Sequence, residues 1–152
     1  MPAYAKPFLD SLLDSDADSP GLLLSREEYF VSLKESIRRH LEWVLNTSPM
    51  IGDIPSHLVN LKTSVYAYGT PPLDSFEATS EKDRARLSRT FEHIIQTFEP
   101  RLRLVTISLS ESHGNSILEF RIDAYLVASA STIPVSFDTR VKTDGRYDVR
   151  GA

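Results

Sequence analysis

The side chains able to do chemistry in this chain are carboxylates, histidines and hydroxyls, because cysteine is absent. That excludes thiolate nucleophiles, thiolate metal sites and disulfides, and it fits a reducing compartment. Asp14, Asp16 and Asp18 imitate the opening of a calcium loop. The imitation stops there: Ser19 stands where the turn needs glycine, and Ser25 where a bidentate glutamate belongs. The run reads as a solvated linker. The four histidines, His40, His57, His93 and His113, have no paired metal-ligand spacing, so each reads as a surface or internally satisfied residue. No nucleophile elbow, phosphate-cradling glycine loop or dinucleotide fingerprint occurs. Asn46-Thr47-Ser48 fits the glycosylation triplet, but without a secretory signal it reads as a chance match. Neither a cofactor nor a metal is expected.

Glycoside hydrolysis is harder to exclude by motif, since it needs only two carboxyl groups roughly 5–9.5 Å apart, one of raised pKa. With 21 acidic residues, many pairs are available. Glu111 and Glu119 approach each other across the first expected hairpin, but on strand faces that read as solvated. Nothing selects this chemistry.

Glu99-Pro100-Arg101 is more informative. Pro100 disfavours a helical conformation at Glu99, so a helix ends there. A carboxylate at a helix C-terminus meets the negative end of the dipole, at a cost of roughly 0.3–1 kcal/mol when exposed. Glu99 therefore benefits from a nearby cation. With the chain extended after Pro100, Glu99 and Arg101 share a face and a network, and the arginine offers a planar fork for carboxylates or carbonyls. The plainer reading is helix-to-strand punctuation with two solvated charges, which contribute about 0–1 kcal/mol.

The elements around this step follow from periodicity. Residues 1–24 form a leader. Phe8, Leu9, Leu12 and Leu13 make a short amphipathic helix, followed by a polar, breaker-rich stretch through Gly21. Ser25 and Glu28 form a capping box, with Leu24 and Tyr29 as a hydrophobic staple. Phe30, Leu33, Ile37, Leu41, Val44 and Leu45 then recur at helical spacing over 26–46. Residues 47–78 are irregular, with a helical turn expected at His57–Leu61 and a short strand at Ser64–Tyr68. Ser80 caps a second helix, with Glu81 and Asp83 in its first turn and Leu87, Phe91, Ile94, Ile95 and Phe98 on its buried face. After Arg101 the period falls to two, with a bulge where the alternation of Leu102 and Leu104 shifts to Val105, Ile107 and Leu109. His113-Gly114-Asn115 turns the chain. Leu118, Phe120, Ile122, Ala124 and Leu126 alternate with polar residues, as do Ile133, Val135, Phe137 and Val141. Asp144-Gly145 turns into a last strand with Tyr147 and Val149. The expectation is an α+β fold: two main helices on one face of an antiparallel meander, with the leader helix ahead of a single domain spanning 25–152.

Composition agrees with one soluble domain: 152 residues, 41% hydrophobic and 25% charged. A formal charge of −4 carries no general nucleic-acid footprint, and no basic stripe stands out. No apolar run approaches the ~20 residues of a membrane span. The N-terminus is not a signal peptide, so a cytoplasmic location is expected.

Leu45-Asn46-Thr47, Ser64-Val65-Tyr66-Ala67-Tyr68-Gly69 and Phe98-Glu99-Pro100-Arg101-Leu102, in that order, resemble the contractile-tail baseplate wedge family. So do the alternating strands through Val135-Ser136-Phe137-Asp138-Thr139. The resemblance covers about residues 25–150. That family spans type VI secretion baseplates and a phage tail protein once labelled lysozyme-like. It implies a structural, non-enzymatic role, with Glu99, Pro100 and Arg101 as partner contacts facing the wedge core. The implied partners are the wedge subunits TssF, TssG and TssK and the sheath subunits TssB and TssC, at an inner-membrane-docked baseplate. The sheet would template the first sheath ring by strand addition at an edge. Ser48 departs from the family, many members of which carry arginine there. Glu99→Ala or Arg101→Ala is expected to leave the fold intact and block sheath assembly. The older label gives the alternative, a peptidoglycan hydrolase; a generic adaptor is a third reading.

Overall fold

The computed structural model describes residues 25–50, 54–73, 81–110, 116–128 and 131–152. The leader, the Leu24 side of the staple, the Ser80 cap, Glu111 and the His113–Asn115 turn lie outside them.

Helix α1 runs Arg26–Asn46. Its capping box forms as expected: Glu28 N donates to Ser25 Oγ at 3.3 Å, and Ser25 N donates to Glu28 Oε2 at 2.8 Å. A short α2, Val59–Lys62, follows. Helix α3 spans Glu81–Phe98 and stops where Pro100 requires. The strands β1 (Leu102–Ser110), β2 (Ser116–Ala128), β3 (Ser131–Lys142) and β4 (Tyr147–Gly151) form one antiparallel sheet in the order β1-β2-β3-β4. The fold is α+β, as the patterning implies.

The strand expected at Ser64–Tyr68 is instead a 3-10 turn, Val65–Ala67. Its alternation of β-branched and aromatic residues imitates a strand. However, Ser64 Oγ accepts from Tyr66 N at 3.3 Å, and Tyr68 N donates to Val65 O at 3.2 Å, which closes the backbone on itself. Val65 and Tyr66 consequently remain exposed.

One core fills the space between helices and sheet. α1 contributes Leu33, Ile37, Leu41, Val44 and Leu45, and α3 contributes Leu87, Phe91, Ile94 and Ile95. α1 packs over β4 and α3 over β1. The inward residues of β2, from Leu118 to Leu126, are the ones its alternation selects. Phe91 stacks on Phe120 with centroids 4.9 Å apart, and Tyr147 meets both rings edge-on. The outer face carries cross-strand pairs such as Arg121–Asp138 at 2.8 Å and Arg140–Glu119 at 3.5 Å. The Asp144-Gly145 turn also forms, with Gly145 at φ +79° and Arg146 N donating to Asp144 Oδ1 at 3.0 Å.

The expected bulge lies between Arg103 and Thr106. Val105 and Ile107 point inward, and Leu104 is the extra residue, with φ +51°. For a residue with a Cβ this left-handed conformation costs roughly 1–2 kcal/mol.

Both edges of the sheet are covered by helix side chains. At β1, Ile107 N donates to Glu92 Oε1 at 3.0 Å, and Arg84 Nη2 reaches Leu109 O at 3.4 Å. At β4, Asn46 accepts from Tyr147 N at 2.9 Å and donates to Tyr147 O at 2.8 Å. Arg38 Nη1 donates to Val149 O at 3.0 Å. An exposed edge is a template for unwanted pairing, and these contacts blunt it.

Candidate functional site

Pro100 ends α3 and begins a tight turn in which Leu102 N donates to Glu99 O at 3.0 Å, with proline at the position whose φ it pre-sets. Arg101 O then accepts from Val127 N at 2.9 Å, fixing the start of the sheet. The turn thus folds Arg101 back over Glu99. Arg101 Nε donates to Glu99 Oε1 and Nη2 donates to Glu99 Oε2, each at 2.6 Å, a forked pair. Arg101 Nη1 donates to Ser36 Oγ on α1 at 3.2 Å. From the same helix, His40 Nδ1 lies 2.7 Å from Glu99 Oε2, where an ionised carboxylate requires it to donate.

Glu99 is 1% exposed. The reading of this step as two solvated charges is therefore overturned: the carboxylate at the C-terminus of α3 is buried, and the cation it needed is Arg101. Burial raises the Glu99 carboxyl, but the Arg101 fork and His40 outweigh it, holding the group below the usual carboxylate range. Tyr68 closes the site, stacked on His40 at 6.0 Å and edge-on to Phe98 at 5.2 Å. Burial, then the Glu99 charge, pushes its phenol upward.

The three sequence-predicted residues divide by direction. Glu99 faces inward and is fully engaged, Pro100 is exposed, and the Arg101 side chain is 29% exposed at the rim. Glu99 is thus buried against the Arg101 fork, and of the three it is Pro100 and Arg101 that reach the surface. The expectation that Glu99→Ala or Arg101→Ala leaves the fold intact also changes. Removing Arg101 strands the desolvated Glu99 carboxylate, at a cost in stability, whereas removing Glu99 leaves a partly exposed Arg101 that keeps Ser36 as a partner.

Sequence reasoning missed Ser36 and His40. Their signal was spacing: polar residues four apart, beside the apolar stripe of Ile37 and Leu41.

The three segments that carry the resemblance meet around this site. Thr47 O accepts from Thr70 N at 2.7 Å, and Gly69, at φ +122°, lets the two segments touch: a Cβ there would fall 2.2 Å from Thr47 O. Tyr68 is thereby delivered to His40, and His40 to Glu99.

Among the described residues no group of three or more His, Cys, Asp or Glu could hold a metal ion. No described helix is long and apolar enough to cross a membrane. The fold and site define an α+β domain whose buried carboxylate holds an arginine at its rim. The chain belongs to the baseplate wedge protein gp25 family, whose model matches residues 31–131 and so includes Ser36, His40, Tyr68, Glu99 and Arg101. No curated protein matches the chain. Membership gives it a structural role in a phage-tail-like baseplate, in contact with other baseplate components.

Proposed function

We propose that this protein is the TssE-type subunit of a type VI secretion baseplate, coupling the wedge core to the contractile sheath with no turnover of its own. The observation that carries this reading is the buried Glu99 carboxylate, forked by Arg101 and seconded by His40. A buried ion pair is weak evidence for stability. It is better explained as preorganisation, because a guanidinium already aimed at the rim loses less entropy when a partner's carboxylate or carbonyls engage it. In this reading Arg101 and Pro100 contact the wedge subunits TssF, TssG and TssK, and Glu99 holds Arg101 in place.

Coupling to the sheath subunits TssB and TssC proceeds by strand addition to the sheet. An incoming strand must first displace Glu92 and Arg84 from β1, or Arg38 and Asn46 from β4. A conditional template of this kind limits assembly to a strand of sufficient affinity. The protein works in the cytoplasm, recruited to an inner-membrane-docked baseplate.

Co-purification with wedge subunits tests the reading, using Arg101→Lys, which keeps the charge and loses the fork. Capture should fall at least about tenfold, the scale of a lost desolvated contact. Wild-type capture by the folded variant would refute it. Clearing of a peptidoglycan suspension by purified protein, abolished by one acidic substitution, would favour the hydrolase reading instead.

A further inference from the structure

Two features are unused by that site. The first is the outward face of α3. After Glu81, its exposed residues are Lys82, Ala85, Arg86, Arg89, His93 and Gln96, with no carboxylate among them. Asp83, half-buried, lines the same groove as Lys82, Arg86, Arg89 and His93, so one carboxylate there stands against three cationic side chains, while Glu92 and Arg84 turn to the β1 edge. Spacings of four and three residues put Lys82, Arg86, Arg89, His93 and Gln96 on one stripe, which runs toward exposed Pro100. A basic stripe does stand out once the helix is seen, on a chain whose formal charge is −4.

The second feature is Leu104. It is 76% exposed and sits at φ +51° beside a groove of about 700 Å³ lined with Gln96, Pro100, Leu102 and Arg103. Glycine or asparagine would hold that bulge at less cost, and no burial repays a leucine. Strain kept where nothing local accounts for it points to binding.

We propose that the outer face of α3, from Lys82 to the Leu104 bulge, docks an acidic, amphipathic segment of a baseplate partner. The partner's carboxylates lie along Lys82, Arg89 and His93, and its apolar residue sits on Leu104. Charge complementarity selects an acidic segment, and the apolar end selects protein over nucleic acid. The proposal rests on the baseplate reading above and extends the surface beyond Pro100 and Arg101.

The test uses the full chain and a purified TssF–TssG complex as probe, with binding measured at low and high salt. Wild-type affinity should fall as salt rises. A Lys82→Glu/Arg89→Glu variant should bind about tenfold more weakly at low salt, with unchanged Tm. Leu104→Asn should also bind about tenfold more weakly while its Tm rises by roughly 2–4 °C, so lost binding cannot be lost folding. Wild-type binding by both variants overturns the proposal. If Arg101→Lys alone is impaired, the baseplate reading stands without this surface; if all variants bind normally, both fall. Charge-reversal-sensitive binding of an oligonucleotide, with wedge binding intact, would make the stripe a nucleic-acid surface and would also overturn the proposal.

Discussion

Replacing Arg101 with alanine should turn Glu99 from a held charge into a stranded one. The carboxylate is 1% exposed, and Arg101 supplies two of its short contacts, leaving His40 as its remaining side-chain partner. Removing one member of a buried pair costs roughly 3–5 kcal/mol. The Arg101 side chain is 29% exposed, so solvent already screens part of the pair. A loss of about 3 kcal/mol at neutral pH follows, or roughly 6–12 °C in Tm for a chain of this length.

The pH dependence gives the sharper test. In the wild type the Glu99 carboxyl lies below its ordinary value of 4.5. It therefore stabilises the fold above that value, and this stability is lost as pH falls through the depressed one. Without the Arg101 fork, only His40 and the backbone N–H of residue 101 oppose burial, so the folded-state value moves upward. The variant keeps less of the stability that the ionised carboxylate gives above 4.5, so the gap to wild type is widest near neutrality and narrows as pH falls into the acid range. Urea unfolding followed by circular dichroism across that range measures it. A gap under about 0.5 kcal/mol at neutral pH, or one that widens in acid, would refute the reasoning.

Two further substitutions test the packing. Tyr147 is buried, and its hydroxyl has no hydrogen-bond partner among the described residues. Tyr147→Phe should therefore be neutral or stabilising by up to about 1 kcal/mol in urea unfolding, where a satisfied hydroxyl would give a loss. Gly69→Ala should cost about 1–3 kcal/mol for its backbone conformation alone, and more for the Cβ placed 2.2 Å from Thr47 O. A near-wild-type Tm would show that the two segments separate without penalty.

The main elements were legible because each has a local cause. Ser25 and Glu28 mark the start of α1, Pro100 ends α3, and strict alternation from Leu118 to Leu126 assigns the inner face of β2. Even the bulge was readable, from the shift between Leu104 and Val105. Ser64–Tyr68 was misread because a hydroxyl competing for nearby backbone amides leaves no mark on hydrophobic periodicity. The burial of Glu99 was only half legible. The helix dipole showed that it needed a cation, but its desolvation depends on Ser36 and His40, some sixty residues away in sequence.

Distance in sequence also explains why the site needs three segments rather than one motif. A Glu-Pro-Arg step alone makes a surface pair, worth little and screened by salt. Packing α1 against it adds Ser36 and His40, excludes water from Glu99 and sets the guanidinium in one place. Packing the Tyr68-Gly69 corner against Thr47 caps His40 and so fixes the ring that meets Glu99. Each layer raises the cost of losing Arg101 without adding a group that touches a partner. Under the proposed function, variants at His40 or Gly69 act on docking only indirectly, through the placing of Arg101 and the stability of this corner, whereas changes along Lys82 and Arg89 act on the partner directly.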